Sequence, residues 1–165
     1  MEAVALVIKE MLKDKNCVVR SSTIRVIVSL RGEVEWIYPL LEDEDWGVRV
    51  SAIRAIVSLG GDVEKIYPLL SERNDNVCIA AIMAVAALGG EVEWIYPLLT
   101  ALHVEVRRAA IEAVIALEGD LREIYPLLDD KNCFVREEAV KAIAELGEQD
   151  NGCKRRRGKE VVNYD

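Results

Sequence analysis

Chemistry needs nucleophiles, bases and metal ligands within reach of one another, and this chain is sparing with all three. His103 is the single histidine, and Cys17, Cys78, Cys133 and Cys153 form no CxxC pair. A structural zinc takes four such ligands at short spacing, so none is expected. Ser22, Ser29, Ser51 and Ser58 have no basic partner implied by their spacing, and no nucleophile, base and orienting group come together. Phosphate-cradling loops of the GxGxxG or GxxxxGK[ST] kind are absent. The expectation is a protein that is not an enzyme and carries no cofactor. Trp36 and Trp94 stand two repeats apart in one column and could present an aromatic surface, although packing against a neighbouring unit is the better reading. Trp46 reads as an isolated surface or loop aromatic.

The elements that position these residues come from an internal repeat. Ile-Tyr-Pro-Leu-Leu occurs at 37–41, 66–70, 95–99 and 124–128, a period of 29 residues, and one further step back reaches Ile8 in a diverged first copy. Five units follow, at approximately 3–32, 33–61, 62–90, 91–119 and 120–148. In the second half of each, apolar residues fall at spacings of three and four; in unit 2 these are Val48, Ala52, Ile53, Ala55, Ile56 and Leu59. That is one broad helical stripe, helix B. A cap column precedes it, Asn16, Asp45, Asn74, His103 and Asn132, and Gly32, Gly61, Gly90 and Gly119 close it, expected in the left-handed conformation. The first half of each unit predicts a shorter helix A. Pro39, Pro68, Pro97 and Pro126 force that helix either to kink or to begin just before the proline, and only unit 1, with Glu10 there, can run it unbroken. The tyrosines 38, 67, 96 and 125 are expected in the core. The fold class is all-α: a right-handed α-solenoid of five two-helix units, each burying its apolar face against its neighbours.

The columns V-R-x-x-A-[IV]-x-[AV]-[IV]-x-x-L-G and D-x-[DN]-x-x-V-R resemble the HEAT-like repeats of the phycobilisome-lyase type, over roughly residues 3–148. The resemblance implies that Asp14, Asp43, Glu72 and Asp130 form a ladder with Arg20, Arg49, Arg107 and Arg136. The chain departs from it twice, with Cys78 for an arginine and Ala101 for an acid, and Leu102 with His103 lies at the break. The resemblance also admits a lyase-type subunit or chaperone for a tetrapyrrole-bearing protein.

The formal net charge is −8 over 165 residues. Residues 154–165 carry five Lys or Arg against Glu160 and Asp165, a net +3, so residues 1–153 carry −11. An acidic solenoid repels a phosphate backbone, which leaves nucleic-acid binding only to the basic tail. That tail, 149–165, is expected to be flexible. The longest apolar run, Val77 to Leu88, is shorter than the ~20 residues of a spanning helix, and the acidic N-terminus lacks the charge of a signal peptide. The expected setting is cytoplasmic, without membrane contact.

The leading function is a protein-interaction scaffold that takes a peptide, helix or partner domain on the concave helix B surface. Its columns read Arg25, Arg54, Met83, Glu112, Lys141 and Ser21, Val50, Ile79, Arg108, Glu137, with Ala86 and Ala87 completing an apolar centre in unit 3. The surface thus runs from basic through apolar to mostly acidic, an order that would orient an apolar-anchored segment. Leu102 and His103 form a secondary candidate. So does Leu6, in a first helix too apolar to bury its whole surface against helix B, which predicts weak self-association. Glu137, Glu138, Lys141 and Glu145 are expected to cap the far end with polar groups.

Overall fold

The computed structural model describes residues 2–157, with side-chain surroundings for residues 4–145. Six α-helices run in chain order: α1 (Glu2–Met11), α2 (Cys17–Ser29), α3 (Trp46–Leu59), α4 (Asp75–Ala87), α5 (Val104–Ala116) and α6 (Cys133–Arg157). The described residues contain no strand. Helices α2 to α6 are the five B helices, and each packs against the one before and the one after, as an α-solenoid requires. Asn16, Asp45, Asn74 and Asn132 cap them through their side chains; His103 makes no such bond.

Helix A is α-helical only in unit 1, where it is α1. In the other units it is two short 3-10 turns, Val34–Trp36 and Tyr38–Glu42 in unit 2, repeated at 63–65 and 67–71, 92–94 and 96–100, and 121–123 and 125–129. The second turn starts one residue before its proline. Proline contributes no amide and crowds the preceding residue out of regular α geometry, so the chain closes i to i+3 bonds instead, with Leu40 N donating to Ile37 O at 2.9 Å. The turns still bury their stripe: Ile37, Leu40 and Leu41, and their equivalents Ile66, Leu69 and Leu70, lie in the core beneath α3 and α4. Full burial of one such side chain contributes about 1.5–3 kcal/mol.

The glycine columns divide the work differently from expectation. The left-handed residue is one position earlier, Gly60 and Gly89 at φ +67°, with Arg31 at +48° and Glu118 at +52° in the other units. Gly61 instead serves close approach: a Cβ there would meet Ile56 Cγ2 at 2.8 Å and Val34 Cγ2 at 2.9 Å. Its amide donates to Ile56 O at 2.9 Å, the closing bond of a Schellman turn.

The tyrosines are half-buried rather than core. Tyr38, Tyr67 and Tyr96 each accept, through Oη, the backbone amide 24 residues on, that of Asp62, Glu91 and Asp120, at 2.9 Å. Tyr125 is exposed, because α6 does not turn back into a sixth unit as α2 to α5 turn into the next. The expected flexible segment from 149 is helical through Arg157, and residues 158–165 lie outside the described residues. No described helix is long and apolar enough to cross a membrane. Among the described residues no group of three or more His, Cys, Asp or Glu could hold a metal ion.

Candidate partner-binding groove

The B helices present one continuous face away from the 3-10 layer. Residues at i, i+4 and i+7 of each helix line it, and the column Arg25, Arg54, Met83, Glu112, Lys141 is exposed along its whole length. Between α3 and α4 this face sinks into a groove of about 740 Å³. Val50, Ile79 and Ala80 form its floor, while Met83, Arg54 and Trp46 stand around it. Met83 is 58% exposed, which places it outside the core although α4 is apolar on nearly every side. Ala87 is exposed at the end of the groove and Ala86 is half-buried against the core.

Trp46 was not expected here. It is the first residue of α3, and positions 46, 50, 53 and 54 share one helical face, so the spacing to Arg54 was the available signal. Trp46 is 48% exposed. Trp36 and Trp94, by contrast, pack against the preceding unit. Trp94 stacks on Tyr67 with ring centroids 5.0 Å apart, and the equivalent position below Trp36 is Lys9, whose Nζ lies 4.6 Å from the ring centroid.

The charges flanking the groove are unequal. Arg25 donates to Ser22 Oγ, and neither Arg25 nor Arg54 has an ionic partner among the described residues. On the other side Glu112 is exposed, but Glu137 is paired with Lys141 at 2.9 Å, and Arg108 reaches Glu138 at 3.5 Å. The Lys141 ammonium, by hydrogen bond and charge, holds the Glu137 carboxyl below its usual range. The acidic end is therefore largely spent on internal pairs, and the basic end is free to meet a ligand.

The ladder is a contact between units. Arg20 grips Asp43 of unit 2 with Nε to Oδ2 at 2.7 Å and Nη2 to Oδ1 at 2.6 Å, while its Nη1 binds the carbonyls of Asp14 and Lys15 in its own unit. Burial alone would lift the Asp43 carboxyl, but the bonds from Arg20 and from the Asp45 amide outweigh it and hold it below the usual range. Arg49 approaches Glu72 at 3.7 Å and Arg107 Nε lies 2.8 Å from Asp130. The rung runs from each arginine to the acid 23 residues on, so Cys78 and Ala101 are the two halves of one missing rung rather than two separate breaks. Cys78 Sγ donates to Leu70 O at 3.2 Å, and burial pushes its thiol up. Beside it, His103 Nδ1 lies 3.0 Å from Asp75. Leu102 and Leu6 are both strongly exposed, at separate places from the groove.

The family described as HEAT repeats matches residues 4–84. Among solved structures, an engineered protein from the Northeast Structural Genomics Consortium is 20% identical with a TM-score of 0.55, the match covering 86% of this chain and 84% of that one. The complex of CpcE and CpcF of phycocyanin lyase from Nostoc sp. PCC7120 is 21% identical with a TM-score of 0.68, covering 86% of this chain and 64% of that one. At such identities the likeness is one of fold. No curated protein matches the sequence. Residues 4–84 match the HEAT-repeat family, and the 29-residue unit that continues in register to residue 148, in a single row of stacked helices, gives the rest of the repeat region the same HEAT-like architecture.

Proposed function

We propose that the protein is a non-enzymatic binding module that takes an apolar-anchored helix or extended peptide in the groove between α3 and α4. The carrying observation is Met83, exposed on a helix that is apolar beyond its first turn, with Trp46 opposite it and a floor of Val50 and Ile79. Exposed apolar surface of this kind marks interaction sites, and methionine and tryptophan are favoured anchors in them. Arg54 and Arg25 supply charge with no ionic partner among the described residues, so the ligand carries an acidic residue on the side facing α2. Burial at Met83 would supply most of the affinity and the arginines would set direction.

The test is a photocrosslinking residue at Ala87 of the full chain, with captured partners compared between the wild type and Met83→Glu. The reading requires that Met83→Glu abolish crosslinking while the unfolding free energy changes by no more than about 0.5 kcal/mol, as at other surface sites. Unaltered capture, or a steep loss of stability, would remove the groove from consideration.

A further inference from the structure

Each internal junction of the row buries the same columns, and the two ends of the row expose them. Toward the following unit, Ile24, Ile53, Ile82 and Ile111 are all buried, whereas Val140, their equivalent in unit 5, is 57% exposed. Leu128 and Tyr125 are uncovered in the same way, while Leu12, Leu41, Leu70 and Leu99 are buried. The polar end expected from Glu137, Glu138, Lys141 and Glu145 is thus not what unit 5 presents on this side. Toward the preceding unit, Ala55, Ala84, Ala113 and Ala142 are buried, and Val26 in unit 1 is 46% exposed. It borders an apolar hollow of about 260 Å³ with Ile8, Met11, Val18 and Val19, and Leu30 and Val7 are exposed nearby.

The charges are complementary as well. Because every rung joins an arginine to the acid of the next unit, five units leave one arginine and one acid over. They are Arg136 and Asp14, both exposed and neither with an ionic partner among the described residues. Arg136 is already pre-set: its Nη1 binds the carbonyls of Asp130 and Lys131 at 2.7 and 3.2 Å, as Arg20 binds those of Asp14 and Lys15.

From this geometry we infer that the chain associates head to tail with further copies of itself, unit 5 of one copy docking on unit 1 of the next and continuing the row of helices. Arg136 reaches Asp14 of the next copy as Arg20 reaches Asp43, and Val7 of the next copy lies on Tyr125 as Trp94 lies on Tyr67. A heterologous contact of this kind does not close on itself, so it builds open chains rather than a fixed dimer. It is weaker than an internal junction because two free bodies lose their motion on docking. Glu137 also stands where units 2 and 3 carry Val50 and Ile79, and Ala144 where units 2 and 4 carry the larger Val57 and Ile115, so the tail end offers less apolar surface than an inner unit. The groove residues take no part, so this association and the proposed function stand or fall separately.

Sedimentation of the full chain over a wide concentration range tests the inference, with two blocking variants at exposed positions, Val26→Glu for the head and Val140→Glu for the tail. The wild type should show association that grows with concentration without a plateau at dimer, and each variant alone should associate at least about tenfold more weakly. Mixed together they should form a one-to-one heterodimer and nothing longer, since each keeps one intact face. Should either variant melt early, Asp14→Lys and Arg136→Glu replace them, and the chain carrying both swaps should regain association. A strictly monomeric wild type overturns the inference. So does self-association by Val140→Glu equal to the wild type, which would mean that unit 1 faces pair with each other, or the failure of the mixture to form heterodimers.

Discussion

The junction between units 1 and 2 and the junction between units 3 and 4 use the same apolar columns and opposite polar solutions. The first buries a bidentate ion pair, Arg20 with Asp43, both side chains about 7% exposed. The second places Cys78 and Ala101 at the same two positions and adds an exposed His103–Asp75 contact at the rim. Both junctions nevertheless pack helix against helix over comparable surfaces. The comparison teaches that stacking is driven by the buried isoleucine, valine and alanine columns, while the rung is a local device that must be whole or wholly absent. Removing one member of a buried pair strands a charge, whereas exchanging both for apolar groups is close to neutral.

The largest break in that comparison is Arg20→Ala, which should cost about 3 kcal/mol by leaving Asp43 buried without its partner, measured by denaturant unfolding. Its acid dependence carries a sign. A carboxylate held below its unfolded value of about 3.9 adds stability in full above that pH and loses it as pH falls through the folded value. Asp43 and Asp130 are both held low, so the wild type should lose stability below about pH 4, and Arg20→Ala should lose less of it on acidification. A parallel acid profile in the two proteins would show that the rung does not set it.

The next effect comes from rebuilding the missing rung. Cys78→Arg alone should cost about 2 kcal/mol, and adding Ala101→Asp should recover most of it, with a coupling energy of at least about 1 kcal/mol in a double-mutant cycle. Simple additivity would mean that the two columns do not meet at this junction.

A smaller effect separates the aromatic column. Trp94→Ala removes a ring stacked on Tyr67 and should cost about 1 kcal/mol. Trp36→Ala removes the contact with Lys9 and the half-buried ring's packing against the core but no aromatic stack, and should cost about 0.5 kcal/mol. Equal losses would argue that both tryptophans act through buried area alone.

Much of this was legible before any coordinates. Repetition gives every column five samples, so the B helices, their caps and the tyrosine and proline positions could be read from residue types, while the pairing of the ladder came from the resemblance to the phycobilisome-lyase type of repeat. Helix A was legible only to the point of a conflict: the proline required a kink or a start just before it, without stating that two 3-10 turns would replace the helix. Trp46 was missed because its column holds Cys17, Asp75, Val104 and Cys133, with no aromatic pattern to mark it.

The sequence by itself determined the period, the number of units and the apolar stripe of each B helix, because helical spacing and a fivefold repeat are local, one-dimensional facts. Which unit each arginine joins, that Cys78 and Ala101 belong to one rung, that Gly61 is needed for closeness rather than for a left-handed turn, and that Val26 and Val140 are left bare at opposite ends were decided only by the tertiary structure. All four depend on what lies one unit away in space, and no spacing along the chain reports how far an inter-unit contact reaches or whether anything covers the last member of a column.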